Sequence, residues 1–141
     1  MSVEVTAYWE GGYRCRVPVR HFEIVVDEPP QYGGTDAGPM PTEVFVTSLA
    51  SCFTLAVAHA AKKRDIVLPD LAVTVNAEYQ GLRFSRLRVE VRSSHPHDIL
   101  ESLLEPAIGY CYVTNTLRGA PEMDFVVGHG PVTPAPAPPP G

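Results

Sequence analysis

Three cysteines, Cys15, Cys52 and Cys111, are the residues whose type could carry redox chemistry. A thiolate attacks electrophiles and can be oxidised to a sulfenic acid, which a second thiol resolves to a disulfide. These three are too few and too scattered for a disulfide framework, and no Cys-x-x-Cys pair offers the usual zinc spacing. Cys52 lies inside a long apolar run and reads in two ways, as a small buried hydrophobe or as an activated thiol. It is too far from the start of that run to use a helix dipole, and burial alone disfavours a thiolate. If Cys52 works, a guanidinium must reach it from elsewhere, and Arg14, Arg16 and Arg20 of the N-terminal segment are the candidates. Cys111 closes the apolar face of a second helical run, so the two thiols could meet in one core.

The other chemistry-bearing residues are weaker candidates. Cys15 alternates into a strand and reads as structural. His59 is seven residues beyond Cys52, on the same helical face but ~10 Å along the axis. It reads as a core or interface histidine rather than a general base. His95, His97 and His129 are scattered and make a poor metal set. Gly33-Gly34 and Gly38 are not followed by the Lys-Ser/Thr of a phosphate loop.

The elements that must position these residues follow from periodicity. Residues 2–9 alternate, with Val3, Val5, Ala7 and Trp9 on one side, which predicts a half-buried strand. Glu10-Gly11-Gly12 signals a turn, and residues 13–19 and 21–26 read as two further strands, with Pro18 demoting its end to an edge or bulge. Residues 27–41 hold four prolines and three glycines. They predict a loop without regular structure, of a length that is often functional. Residues 42–63 predict the longest helix, with Glu43 in the first turn and Lys62 and Lys63 at the end complementing the dipole. Being apolar nearly all round, it needs cover on both sides, one from a sheet and one from a second subunit. Strands over 71–79 and 84–92, a helix over 96–111 kinked at Pro106, a turn of helix over 114–118 and a last strand over 123–127 complete the reading. The order βββ–α–ββ–α–β defines an α+β class.

Composition bounds the function. The chain has 141 residues, 45% of them hydrophobic, enough for one domain with a real core. Residues 1–130 form that domain, and residues 131–141 read as a proline-rich disordered tail. With 11 basic against 16 acidic residues and no basic stripe, a nucleic-acid partner is not expected. The N-terminus carries acids and no apolar h-region, so it is no secretory signal, and a cytoplasmic location is expected. Val44 to Ala61 is uncharged and at the length threshold for a membrane span, yet its hydroxyl residues and His59 fit a central buried helix better.

Several runs together resemble the OsmC/Ohr family. They are Trp9-Glu10-Gly11-Gly12, Val26-Asp27-Glu28-Pro29, Gly33 through Glu43, Ser48-Leu49-Ala50-Ser51-Cys52, and Cys111-Tyr112-Val113-Thr114-Asn115-Thr116-Leu117. The resemblance covers residues 5–127 in register. It implies an OsmC-like fold, an intertwined homodimer whose long central buried helices are wrapped by antiparallel sheets from both chains. It also implies a stress-response, antioxidant thiol peroxidase acting on organic hydroperoxides. Cys52 would be the peroxidatic cysteine and Cys111 the resolving one. Arg14 would activate the thiolate, although Tyr13 intervenes between it and the Gly-Gly pair, which leaves Arg16 and Arg20 as substitutes. Glu43 would orient that arginine. Nine helical steps place Glu43 and Cys52 on opposite faces, ~13.5 Å apart along the axis, so Glu43 acts through an arginine, serves the partner chain, or is a first-turn acid alone. A dithiol reductant, lipoyl-type by the resemblance, would restore the thiols, and no metal, flavin or nucleotide cofactor is needed. The alternative is a non-catalytic protein of the same fold that binds a small apolar ligand at the dimer interface.

Overall fold

Alternating residues flanked by glycine turns pair early in the chain. In the computed structural model, which describes residues 1–133, β1 (Tyr8–Trp9), β2 (Cys15–Val19) and β3 (Phe22–Val26) form an antiparallel sheet in that order. Gly11 and Gly12 carry the first turn at φ 96° and 56°, and the Trp9 indole donates to the Gly12 carbonyl at 3.0 Å. Only the last two residues of the strand expected over 2–9 pair, because β1 meets β2 at Cys15 and Arg16 alone. Val3 and Val5 are exposed. Pro18 lies in the middle strand of the sheet, opposite Glu23 of β3, but beyond the reach of β1. Its missing N–H therefore breaks no ladder bond on that side.

The proline- and glycine-rich loop is organised around one buried carboxylate. Asp27, 1% exposed, accepts bonds from the Thr35 hydroxyl at 2.6 Å and from the amides of Glu28, Thr35 and Ala37 at 2.8, 3.2 and 3.1 Å. Gly34 and Gly38 are required by packing, since a Cβ on either would run into the carbonyl of Glu28 or Val25. The loop ends at α1 (Pro41–Lys63), where Pro41 holds the first helical position. Glu43 reaches back to accept the Met40 amide at 2.9 Å, half of a capping box.

The second half of the chain builds the core. β4 (Ala72–Gln80) and β5 (Arg83–Arg92) form a two-stranded antiparallel sheet, followed by α2 (His97–Tyr110) and α3 (Tyr112–Gly119). Leu49, Phe53, Ala56, Val57, Ala60 and Ala61 line one face of α1 and bury against Leu103, Ala107 and Cys111. Val73, Val75, Leu87, Val89 and Val91 of the sheet pack on the same cluster. Asp70 ties the start of this sheet to its end, accepting from the Ser94 amide at 2.7 Å and from the Ser93 and Ser94 hydroxyls. Pro106 sits inside α2. Its ring leaves the Ser102 carbonyl, four residues earlier, without a helical donor. Arg64, just past the end of α1, fills that place with Nη1 at 2.8 Å.

One expectation is corrected. Residues 123–127 are irregular rather than a strand, and Met123, Phe125, Val126 and Val127 are exposed. Alternation gives a segment the capacity to pair, but a strand exists only where an edge is offered to it. Within this chain α1 is buried on one face, with Leu55 70% exposed on the other. The described residues divide into two units, Met1–Val44 with residues 125–133, and Phe45–Asp124. The tail read over 131–141 lies, from residue 134, outside the described residues.

Hydrogen bonding from the Thr35 hydroxyl first, and from the three amides, outweighs desolvation and lowers the Asp27 carboxyl from 3.8 to about 2. A depressed carboxyl stabilises the fold above its unfolded value, and that contribution is lost as pH falls from near 4 toward 2. Asp27→Asn is expected to lower the melting temperature at pH 7 by at least about 5 °C and to flatten its decline across that acid window. Thermal unfolding of both proteins between pH 2 and 7 checks this.

Candidate active site

The site is built from the middle of α1 and the joint between α2 and α3. Cys52 is half-buried on α1 between the buried residues Leu49 and Phe53 and packs against the core cluster. Cys111 is fully buried and serves two helices at once. Its amide donates to the Ala107 carbonyl at 3.0 Å and closes α2. Its carbonyl accepts from Asn115 N at 3.0 Å and opens α3, while its Sγ accepts from the Thr114 amide at 3.4 Å. Cys111 is thus the N-cap residue of α3, a place normally held by Ser, Thr, Asp or Asn. The Asn115 side chain spans the joint, donating to the Gly109 carbonyl at 3.1 Å.

Cys52 packs against the core cluster that contains Cys111, and its thiol is one of the groups that lower the Cys111 thiol. All three cysteines are free thiols. Burial pushes the Cys111 thiol up, but the Thr114 hydroxyl and amide, Cys52 and the Val113 amide together outweigh it and hold the thiol below its ordinary value. The electrostatic support in this pair therefore centres on Cys111, through the N-terminus of α3. The sequence reading placed a helical turn only from Thr114 and so missed this cap. The signal was there in Cys111-x-x-Thr114, which has the spacing of an N-cap and its N3 partner.

An open cleft of about 560 Å³ adjoins the pair, lined by Cys52, Leu55, Ala56, His59, Tyr110 and Tyr112 among others. His59 packs edge-on against Tyr110 at 4.7 Å between ring centroids. It lines the same cleft as Cys52 but takes the aromatic contact expected of a packing or interface histidine.

The remaining candidates belong to the N-terminal unit. Arg14 is 45% exposed and pairs with Glu10 at 3.4 Å. Arg16 is more buried, donates to Glu23 at 2.9 Å and forms an ion pair with Glu10 at 3.7 Å. Arg20 stands over the Phe22 ring at 5.2 Å, with a left-handed backbone at φ 54°. Glu43 bonds the Met40 amide, and among the described residues no ion pair joins it to Arg14. Cys15 pairs with Trp9 and Val26 in the sheet. No group of three or more metal-ligating side chains occurs among the described residues.

The α+β chain thus carries one cysteine on its long helix and a second at a helix joint, both packed in one core cluster. Residues 34–126 match the sequence profile of the OsmC family, described as OsmC-like protein, and the chain belongs to that family. No curated protein sequence matches it. Among solved structures, an OsmC-like protein from Mycoplasma pneumoniae superposes with a TM-score of 0.71 at 18% identity, over 84% of this chain and 89% of the other. An organic hydroperoxide resistance protein OsmC from Legionella pneumophila gives 0.63 at 23% identity, over 84% and 92%. A Vibrio cholerae protein described as an organic hydroperoxide resistance protein, with captopril bound in one active site, gives 0.65 at 21%, over 84% and 87%. These likenesses establish the OsmC-like fold.

Proposed function

We propose that this protein reduces organic hydroperoxides with Cys52 and Cys111. The observation that carries the reading is that Cys52 and Cys111 pack into one core cluster within a chain of this family. The Cys52 thiolate attacks the terminal oxygen of the hydroperoxide, the O–O bond breaks, and the alkoxide takes a proton to leave as an alcohol. Cys52 is then a sulfenic acid. The Cys111 thiolate attacks its sulfur, hydroxide leaves as water after protonation, and a Cys52–Cys111 disulfide forms. A dithiol, of lipoyl type in this reading, restores both thiols by exchange and becomes a cyclic disulfide. Family neighbours named for organic hydroperoxide resistance support the substrate class.

In this reading the protein is a homodimer of intertwined chains. The uncovered face of α1, with Leu55 at its centre, and the exposed alternating segments around Val3, Val5, Phe125 and Val127 are the surfaces the partner covers. Arg14 supplies the cation for the Cys52 thiolate, with Arg16 and Arg20 as the substitutes and Glu43 as the acid that orients it. The cleft beside Cys52, walled by Leu55, Ala56 and two tyrosines, favours one second reading. In it, the family fold holds a small apolar ligand without turnover.

Stoichiometric cumene hydroperoxide is expected to consume two thiols per chain and to join Cys52 to Cys111, as read by thiol counting and peptide mass mapping. Cys111→Ser should stop at a trappable Cys52 sulfenic acid. Loss of no thiol favours the ligand-binding reading. Arg14→Ala should slow Cys52 oxidation at neutral pH tenfold or more, since a cation beside a thiol favours the thiolate by about one to three pK units. Arg14→Lys should recover only part of the rate, because a point charge cannot bridge an acid and a sulfur as a planar guanidinium does. Stopped-flow oxidation rates decide. Sedimentation should give a dimer at micromolar concentration, with an interface above ~2,000 Å² in a crystal structure. A stable folded monomer counts against the dimer.

A further inference from the structure

We propose that Arg64 is a positioning residue whose bond to the Ser102 carbonyl fixes how far along α1 the helix α2 sits, and so holds Cys111 level with Cys52 for disulfide formation. The inference rests on the two-cysteine reading and deepens it. The tie is prepared at both of its ends. α1 closes with a bond from the Ile66 amide to the Ala61 carbonyl at 2.9 Å and one from the Asp65 amide to the Lys62 carbonyl at 3.2 Å. Asp65 is left-handed at φ 55°. This is a Schellman end, and it fixes the backbone of Arg64 at the helix cap. On α2, Pro106 has no N–H to offer, so the Ser102 carbonyl lacks a helical donor. Arg64 Nη1 donates to it at 2.8 Å. A bond from a cation is stronger than a neutral one, and it has direction.

The two helices run in opposite directions, since Arg64 meets Ser102 while His59, earlier on α1, meets Tyr110, later on α2. The core between them is apolar and rich in alanine, with Ala56, Ala60 and Ala61 on α1 and Ala107 on α2. Apolar burial resists separation but is non-directional, so it restrains sliding weakly. A slip of one helical turn is about 5.4 Å. A disulfide needs its two Cα atoms within about 7 Å, so such a slip puts the pair out of range. Ser102 is nine residues before Cys111, about 13.5 Å along the axis, and Arg64 touches neither thiol. It acts through the register of α2. The step it serves is a two-electron oxidation. The Cys52 and Cys111 thiols lose two protons and two electrons as one S–S bond forms. In the proposed activity a hydroperoxide takes them, its O–O bond breaking to give an alcohol and water. In the test oxidised dithiothreitol takes them, its S–S bond opening to the dithiol.

The test uses the full-length chain in a Cys15→Ser background, equilibrated with mixtures of oxidised and reduced dithiothreitol. It does not depend on peroxide chemistry. Acid quenching, alkylation and mass spectrometry give the equilibrium constant of the Cys52–Cys111 disulfide. Arg64→Met keeps the apolar stem and removes the donors. It should lower that constant about tenfold, equal to about 30 mV toward a more oxidising potential. Arg64→Lys keeps a charged donor and should recover part of the loss. Pro106→Ala returns an N–H to α2 and gives Ser102 its own donor. In that background Arg64→Met should leave the constant nearly unchanged. A residue that only stabilises the fold would lower the melting temperatures of the reduced and disulfide forms alike and leave the constant where it was, and that result overturns the proposal. An equal loss in the Pro106→Ala background, or two thiols that never join, also overturns it. If Arg64→Met does not fold, Arg64→Lys against the parent decides, with a smaller loss expected and no loss overturning the proposal. If the expected shifts are found while hydroperoxide consumes no thiol, the peroxidase reading fails and this assignment stands.

Discussion

Burying a thiol makes its anion costly, and the architecture around Cys52 and Cys111 is organised by that constraint. The answer is a helix that begins on the sulfur. α2 ends at the Cys111 amide and α3 starts at the Cys111 carbonyl, so one residue breaks the helical path and turns it. The break frees the first amides of α3, and that of Thr114 donates to Sγ. Had the helix run on through Cys111, those amides would be tied to carbonyls of the preceding turn. The thiol would then face only the apolar side chains of the core.

The placement of that joint depends on how α2 lies against α1. Leu103 and Ala107 seal α2 onto the face of α1 that carries Leu49, Phe53 and Val57, and this brings Cys111 against Cys52. Pro106 falls within the same stretch and leaves an acceptor without its helical donor. Arg64 supplies the missing bond from the end of α1, so the defect in one helix becomes a tie to the other. The small residues Ala56, Ala60, Ala61 and Ala107 allow the close approach that lets both cysteines join one cluster.

The N-terminal unit solves a different problem. A 15-residue loop rich in proline and glycine cannot order itself through a backbone ladder. Asp27 replaces the ladder with a single buried acceptor on which Glu28, Thr35 and Ala37 converge. The glycines at 34 and 38 serve close packing against the Glu28 and Val25 carbonyls rather than phosphate binding. The loop thereby delivers the chain to Met40 and the capped start of α1.

The long helix over 42–63, the two strands over 71–92, the helix closing at Cys111 and the α+β class were legible because each rests on local periodicity. So was the resemblance that names the family. Asp27 as the centre of its loop was not legible, since a carboxylate gathers distant donors only after the chain has folded around it. Nor did alternation separate Tyr8–Trp9, which pair, from residues 123–127, which do not, because pairing depends on an available edge. The sequence determined that two cysteines lie on apolar helical faces, since side-chain direction on a helix follows from residue spacing alone. That they share one cluster, and that the Thr114 amide at the cap of α3 donates to Cys111, was decided by the tertiary structure. Contact and hydrogen-bond direction depend on how α2 and α3 meet α1, and no pattern along a single helix encodes that angle.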